Sequence, residues 1–453
     1  MSDLLSLLSL GSAGIAAQNT GVGVASNNVA NVNTAGYSRQ RVDLEALVGM
    51  PLVGGVRSGS PDRLQDNILA GRIRVANGSL SMSTASADAL SDLEQRLTSG
   101  ASLGEQLSTM FKRFGEAAAA PTDPIQRQSV VASIESLVEG IHQRAAELDS
   151  AKAELDTRIK DNAKQATELA KRLADANRSV AKSNDPVMRD QRDQLASQLS
   201  SLVGGSARID ADGQMRFVLD GGAVLVDGTH ASALEATPDP TTGDTSLSVV
   251  DGSARRDVTS AIRGGTIGAQ LGVRDGDLAK ARTALDQLAY DVVQSTNSVH
   301  SANAGLDGVS GRNLFGALGG VAGAASAISI DPAIAADPSK LALAAAGGGP
   351  GSNAGALALF QLASQSVAAG GKTLGNAALE IVGNVATAAA SATADVKRDQ
   401  LVANNLAGLR DSLAGVDIQE ELTNLARFEH ASSAMTKFVS TIDDLLGDLI
   451  DRL

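Results

Sequence analysis

The chain has 453 residues, 43% of them apolar but only 2% aromatic, with neither Cys nor Trp. That length allows two or three packed domains, whose cores must be built from Ala, Leu and Val. The formal charge, 38 − 51 = −13, argues against nucleic acid or an anionic membrane as a partner, and the missing thiols exclude disulfides and thiolate chemistry.

Near the N-terminus Leu8, Ile15, Val22 and Val29 recur every seven residues, beside a companion row of Leu4, Gly11, Gln18, Ala25 and Val32. Sevenfold apolar recurrence predicts a helix lying along another helix. No basic residue precedes Leu4–Leu10 and the pattern runs on as a heptad, so no secretory leader is expected there. Between Ser2 and Gly36 the only charge is Asp3, and Gly11, Gly14, Gly21 and Gly23 weaken a helix. These features predict a stem that is marginal alone and folds when subunits stack.

Four Asn followed by Gly36 in residues 27–37 predict a fraying, turning helix end. Residues 42–56 read as extended and Gly-broken. Helical periodicity then runs from about Asp62 to Ala119 and stops at Pro121-Thr122-Asp123-Pro124. A long helix follows, roughly Ile125 to Lys182, with Ile134, Leu137, Val138, Ile141, Ala145 and Leu148 on one stripe. Asn184-Asp185-Pro186 is a corner into a helix ending near Leu202. From Gly204 to Gly265 alternating apolar residues and Asp-Gly turns, Asp212-Gly213 and Asp227-Gly228, predict strands.

Helix returns at about Asp277. Residues 304–355 are Gly/Ala-rich and irregular, with Ile328 and Ile330 in a short strand, and no membrane span is expected from the uncharged stretch Leu341–Gly371 because glycines and Pro350 interrupt it. Helix resumes from about Ala356, nicked at Gly370-Gly371 and at Gly415. The C-terminus carries a second pair of heptad rows. One is Ile418, Leu425, Ser432, Val439 and Leu446; the other is Glu421, Phe428, Met435, Ile442 and Leu449. Acidity peaks here, with nine acids and three bases in residues 411–453.

The expected fold is mainly α with a small β insert, and it is discontinuous. Residues 1–45 and 410–453 form a terminal coiled-coil stem. Residues 46–203 and 264–409 form a helical bundle, and 204–263 an inserted β domain.

Catalytic, cofactor and metal motifs do not assemble. Gly370-Gly371-Lys372-Thr373 lacks the earlier Gly of a phosphate-binding loop, since that position is Ser366. Asp210, Asp212 and Gly213 lack the terminal Glu of a calcium loop. His142, His230, His300 and His430 are isolated. The carboxylate pairs Glu420/Glu421 and Asp443/Asp444 read as solvated charges on a coiled-coil flank.

The stretch Ala25–Arg41, with Asn28, Asn31, Thr34, Gly36, Tyr37, Ser38, Arg39 and Gln40, resembles the N-terminal motif of bacterial flagellar axial proteins. Its Tyr37-Ser38-Arg39-Gln40 extension narrows the resemblance to hook-associated protein 1, the FlgK family. Pro121–Pro124 with Arg127 is similar to that family's corner before a long helix. Asp190-Gln191-Arg192-Asp193-Gln194-Leu195 is similar to its internal motif, and Asn297, His300, Gly305 and Asp307 fall on a further one. Gly415–Ile418, Glu420-Glu421 and Leu425–Phe428 resemble its C-terminal signature. The chain departs from that signature at Ser432, where the family has an aromatic residue.

The resemblance implies a non-catalytic subunit that polymerises into a ring or tube at the distal end of the hook and joins hook to filament. It implies hook protein and the second hook-associated protein as partners. It also implies unfolded export through the flagellar type III apparatus, with a cytoplasmic chaperone on the acidic C-terminal helix. Two alternatives stay open: another axial protein of hook or rod, and a rod-associated cell-wall hydrolase. The first is disfavoured by the Asp190–Leu195 motif; the second would need a catalytic carboxylate in a cleft. An adhesin is disfavoured by the scarcity of aromatic residues.

Overall fold

The computed structural model describes residues 2–34, 36–47 and 55–451. Positions 48–54 of the expected extended segment, and positions 1, 35 and 452–453 of the expected stem, lie outside the described residues.

Helix α1 (Ser2–Ala30) is followed by four short strands, β1 (Gln40–Arg41), β2 (Leu44–Leu47), β3 (Gly55–Ser58) and β4 (Asp62–Arg63). They pair antiparallel, β1 with β4 and β2 with β3. Four helices follow: α2 (Asn67–Thr98), α3 (Leu103–Ala119), α4 (Pro124–Ser183) and α5 (Pro186–Val203). The β insert is β5 (Ser206–Ile209), β6 (Met215–Val218), β7 (Val224–Asp227), β8 (His230–Ala231), β9 (Ala233–Pro238), β10 (Thr245–Asp251) and β11 (Ala254–Asp257). Then come α6 (Gly265–Gly272), a π-helical turn at Val273–Leu278 and α7 (Ala279–Ser301). The irregular region holds β12 (Asn303–Ala304), α8 (Ala324–Ala327), α9 (Pro332–Ala336) and β13 (Ala344–Ala345). Helices α10 (Ala354–Gln361), α11 (Leu374–Ala414) and α12 (Ile418–Asp451) close the chain.

Local chemistry accounts for the main corners. Asp123 caps α4 by accepting from the Ile125 amide at 2.9 Å, and Pro124 occupies the first turn, where no amide is needed. Asn184 ends α4 in the left-handed region at φ +49, and Asp185 caps α5 through the Val187 amide. In the β insert, Met215 and Phe217 point inward and are fully buried while Arg216 pairs outward with Asp227. That alternation packs one face of β6 against α4, at about 2 kcal/mol for each large side chain.

Two apolar cores result. One gathers the C-terminal part of α2, α3, the first half of α4, α7, the irregular region and the start of α11. The other joins the second half of α4, α5, α6 and the two sheets, β5-β6-β7-β8 and β9-β10-β11. Buried arginines brace them. Arg127 donates to the carbonyls of Pro121 (2.7 Å) and Leu341 (2.9 Å), and Arg274 joins Asp156 (2.6 Å) to the Thr245 carbonyl (2.8 Å).

Several expectations need correction. The helix expected from Asp62 to Ala119 is two helices, because Gly100 turns left-handed at φ +75 and Ser102 starts a capping box with Glu105. The segment 46–66, assigned to the bundle, holds β3, β4 and part of β2. Helix resumes at Gly265, not Asp277; six of the eight residues of α6 are buried, so it lacks the polar stripe of a surface helix. Ile330 makes only an isolated bridge to Phe315, and Ile328 follows α8.

Candidate functional site: a polar latch joining the two termini

Helices α1 and α12 lie along each other, and their closest approach is through small residues. A Cβ on Gly11 would sit 2.4 Å from Val439, and one on Gly21 would sit 2.7 Å from the Phe428 ring. Gly14 faces Met435. The glycines that weaken α1 as an isolated helix thus admit the large side chains of α12. Of the rows expected to interlock, Leu8, Ile15, Val22 and Val29 are half-buried, whereas Ala17, Val24 and Ala25 are buried. On α12 only Ile442 of the apolar row positions is buried; Leu425, Phe428, Met435, Val439 and Leu446 are half-buried, and Ile418 and Leu449 are exposed. Ser432, the departure from the expected aromatic, donates to Asn19 Oδ1 at 3.1 Å.

At the bundle end of this pair, the chain turns at Gly36 (φ +85) and most of the motif residues converge. Asn28 is buried at the last turn of α1. Its Oδ1 accepts from the Gln40 amide (2.9 Å) and from Tyr37 Oη (2.8 Å); its Nδ2 donates to the Gln40 carbonyl (2.9 Å) and to Glu421 Oε2 (3.1 Å). Glu421 also accepts from Arg39 Nε at 2.7 Å, and Arg39 reaches Glu420 at 2.6 Å. Hydrogen bonding to Glu420, against the cost of burial, raises the Arg39 guanidinium further above its usual range. Burial, with the charges of Asp190 and Glu421 adding to it, pushes the Tyr37 phenol up to about 12. The phenol therefore stays a neutral donor near pH 7.

The second half of the latch is on α5. Asp190 accepts from the Ser38 amide (3.0 Å) and hydroxyl (2.9 Å). Arg63, at the end of β4, bridges Asp190 and Asp193 at 2.8 Å each, with only 4% of its side chain exposed. Gln65 donates to Asp193, Arg189 to Asp62, and Arg410 of α11 to the Tyr37 carbonyl. The Arg39 amide reaches the Ala414 carbonyl (3.2 Å), so α11, α12, α1 and α5 meet within one short segment.

The structure thus brings together Asn28, Tyr37, Ser38, Arg39, Gln40, Asp190 and Asp193. Asn31 and Thr34 bond each other at the end of α1. Arg192 points elsewhere: it is buried and donates to the Gly213 carbonyl, tying α5 to the turn between β5 and β6. Glu421 corrects the reading of Glu420/Glu421 as solvated flank charges, since it is 2% exposed while Glu420 is exposed. Sequence reasoning missed Arg63, Gln65, Arg189 and Arg410. The available signal was the requirement that a buried Asp190 and Asp193 have cationic or amide partners.

The four histidines do not cluster. His300 is buried between the Arg312 carbonyl and the Ala342 amide, and His142 bonds the Ile328 carbonyl. His230 pairs with Asp251 on the surface, and His430 is exposed. Among the described residues no helix is long and apolar enough to cross a membrane.

The geometry defines a class: a discontinuous helical protein whose terminal helices form one stem, fastened by a buried polar latch to a bundle carrying an inserted β domain. A family model described as the flagellar hook-associated protein FlgK helical domain matches residues 90–315. Flagellar hook-associated protein 1 of Bacillus subtilis is 26% identical over 97% of this chain and 96% of its own length. That of Escherichia coli is 27% identical over 68% of this chain, which spans only 60% of that relative's length. The fold is similar to the solved structure of the flagellar hook junction protein FlgK from Burkholderia pseudomallei, with TM-score 0.69, 15% identity, and coverage of 76% of this chain and all of that one. The family model and the relatives together support assignment of the chain to the FlgK family.

Proposed function

We propose that the protein is a non-catalytic structural subunit of the bacterial flagellum that polymerises at the distal end of the hook and joins hook to filament. The observation carrying this reading is the unfinished stem. Ile418, Leu422, Phe438, Leu445, Leu449 and Ile450 of α12, with Leu409 and Leu413 of α11, leave apolar side chains uncovered along a chain that fastens its own ends in register. Surface of that kind is unfavourable in water and is completed by burial against other subunits. Residues 1–33 and 416–452 would line an inner tube, the bundle would form its wall, and the β insert would face outward.

The names of the relatives, a hook-associated protein and a hook junction protein, support a place at the hook; hook protein on one side and a second hook-associated protein on the other belong to the same proposal. Export before assembly, with a cytoplasmic chaperone on acidic α12, belongs to the same proposal. The test is electron microscopy of cells lacking the gene, with the medium probed for filament protein. Bare hooks and unpolymerised filament protein in the medium are expected. Normal filaments would overturn the reading, and absence of hooks would move the subunit inward to rod or hook.

A further inference from the structure

Beside the latch, between α2, α5 and the end of α11, lies a half-open cavity of about 220 Å³. Its lining includes the apolar Leu69, Ile73 and Leu413 and the polar Arg74, Asn77 and Arg410. The carboxylates at its rim are already engaged. Asp66 accepts from the Ile68 and Leu69 amides at 2.8 and 3.1 Å, Asp190 is held by Ser38 and Arg63, and Asp193 by Arg63 and Gln65. The two lining cations are not matched in the same way. Arg410 donates to one backbone carbonyl, that of Tyr37, and forms no ion pair among the described residues. Arg74 is mostly withdrawn from solvent, yet it has neither an ion pair nor a hydrogen-bond acceptor among the described residues. Burial holds its guanidinium below the usual range, and the charge that opposes this is Asp193, already bonded elsewhere.

A guanidinium partly withdrawn from water, its donors met only by solvent, favours an incoming acceptor, and a planar oxyanion is the group that best satisfies its fork of N–H donors. We propose that this cavity binds a carboxylate carried on a short aliphatic stem, with Arg74 and Arg410 as its counter-ions and Leu69, Ile73 and Leu413 against the stem. The carboxylate comes either from a free small acid or from an Asp or Glu side chain of a second copy of this chain. The second source rests on the self-assembly reading above; the first does not.

The probe is glutarate, titrated into the full chain at low salt and followed by calorimetry and by the arginine Nε–H resonances. Saturable binding with Kd on the order of 1 mM is expected, as befits one small charged ligand. Glutaramide, the same shape without charge, should not compete. Arg74→Gln should weaken binding by about tenfold or more, and Arg74→Lys should recover part of it. Both variants leave the latch residues intact, and a melt of each confirms folding. No saturable change up to about 50 mM glutarate, roughly fifty times that Kd, or an equal affinity in Arg74→Gln, overturns the proposal. Sedimentation then separates the sources. If glutarate and Arg74→Gln both weaken self-association, the carboxylate is a neighbour's side chain. If glutarate binds and association is unchanged, it is a free acid. Glutarate binding would stand even if cells lacking the gene made normal filaments, so the two readings fail separately.

Discussion

Removing the Glu421 carboxylate, as Glu421→Ala, should release α12 from the bundle while leaving the rest of the chain folded. Glu421 receives two donors in a nearly dry site, Arg39 Nε at 2.7 Å and Asn28 Nδ2 at 3.1 Å. A hydrogen bond to a charged group contributes about 1.5–3 kcal/mol, and both of these end on the carboxylate. Arg39 retains Glu420, which softens the loss, so about 2–4 kcal/mol should remain. At about 1.4 kcal/mol per factor of ten, amide protection at residues 418–425 should fall roughly 30- to 1,000-fold. Hydrogen exchange followed by mass spectrometry reads this directly. Glu420→Ala is the control: its carboxylate is 55% exposed, and its loss should leave protection at 418–425 nearly unchanged. In the native chain, protection should be greatest at the latch and decline with distance from it along α1 and α12. Equal protection in Glu421→Ala and native protein, or an equal loss in Glu420→Ala, would refute the assignment of the latch to Glu421.

Gly21→Ala should destabilise the stem despite the better helix former, because overlap with Phe428 costs about 1–3 kcal/mol against about 1 kcal/mol of propensity. Gly23→Ala, with nothing within 4 Å of its Cβ, should stabilise it by about 1 kcal/mol; thermal melts of the two variants must shift in opposite directions. Arg63→Ala strands Asp190 and Asp193 and should cost about 3–5 kcal/mol in urea unfolding, with Arg63→Lys recovering only part because one ammonium replaces a fork. His300 should make the bundle acid-sensitive. Its Nε2 accepts from the Ala342 amide and its Nδ1 faces the Arg312 carbonyl, so the neutral ring is the form that fits, and burial lowers its pKa in the folded state. The unfolded chain then binds the proton more tightly. This contribution is complete above about pH 6.5 and is lost as the pH falls from there through the lowered folded value. His300→Gln should be less stable at pH 7.5 and lose less between pH 7 and 5; a parallel decline in both proteins would refute this.

The parts of the molecule that speak in local patterns were legible in the sequence. The Pro124 and Pro186 corners, the Asp-Gly turn at Gly213 and the heptads at both ends each follow from chemistry within a few residues. Glu421 was not legible as a buried group, because its partners Asn28 and Arg39 lie more than 380 residues away and a Glu on an amphipathic helix usually faces water. The seam of α1 was legible only in part: Gly11 and the buried Ala25 stand in the expected companion row, whereas Gly14 and Gly21 lie outside both rows. Heptad reading looks for large residues at a contact, whereas Gly14 and Gly21 are contact positions because Met435 and Phe428 of α12 fill the space above them. The resemblance flagged Ser38 and Asp190 as motif residues; only the fold shows that they are one hydrogen-bonded pair.

Helix α4 has a mechanical consequence. Its 60 residues span about 90 Å, and its two halves are built into different cores, from Val130 to Leu155 in one and from Ile159 to Ala174 in the other. A force applied to the outlying sheets cannot be absorbed by a linker along this path. It passes as bending of one continuous rod, whose hydrogen bonds resist together, into the packing around Ile134 and Ile141. Load on the sheets would therefore reach the bundle core through that rod, with Arg274 and Asp156 as the transverse tie at the point where the two cores meet.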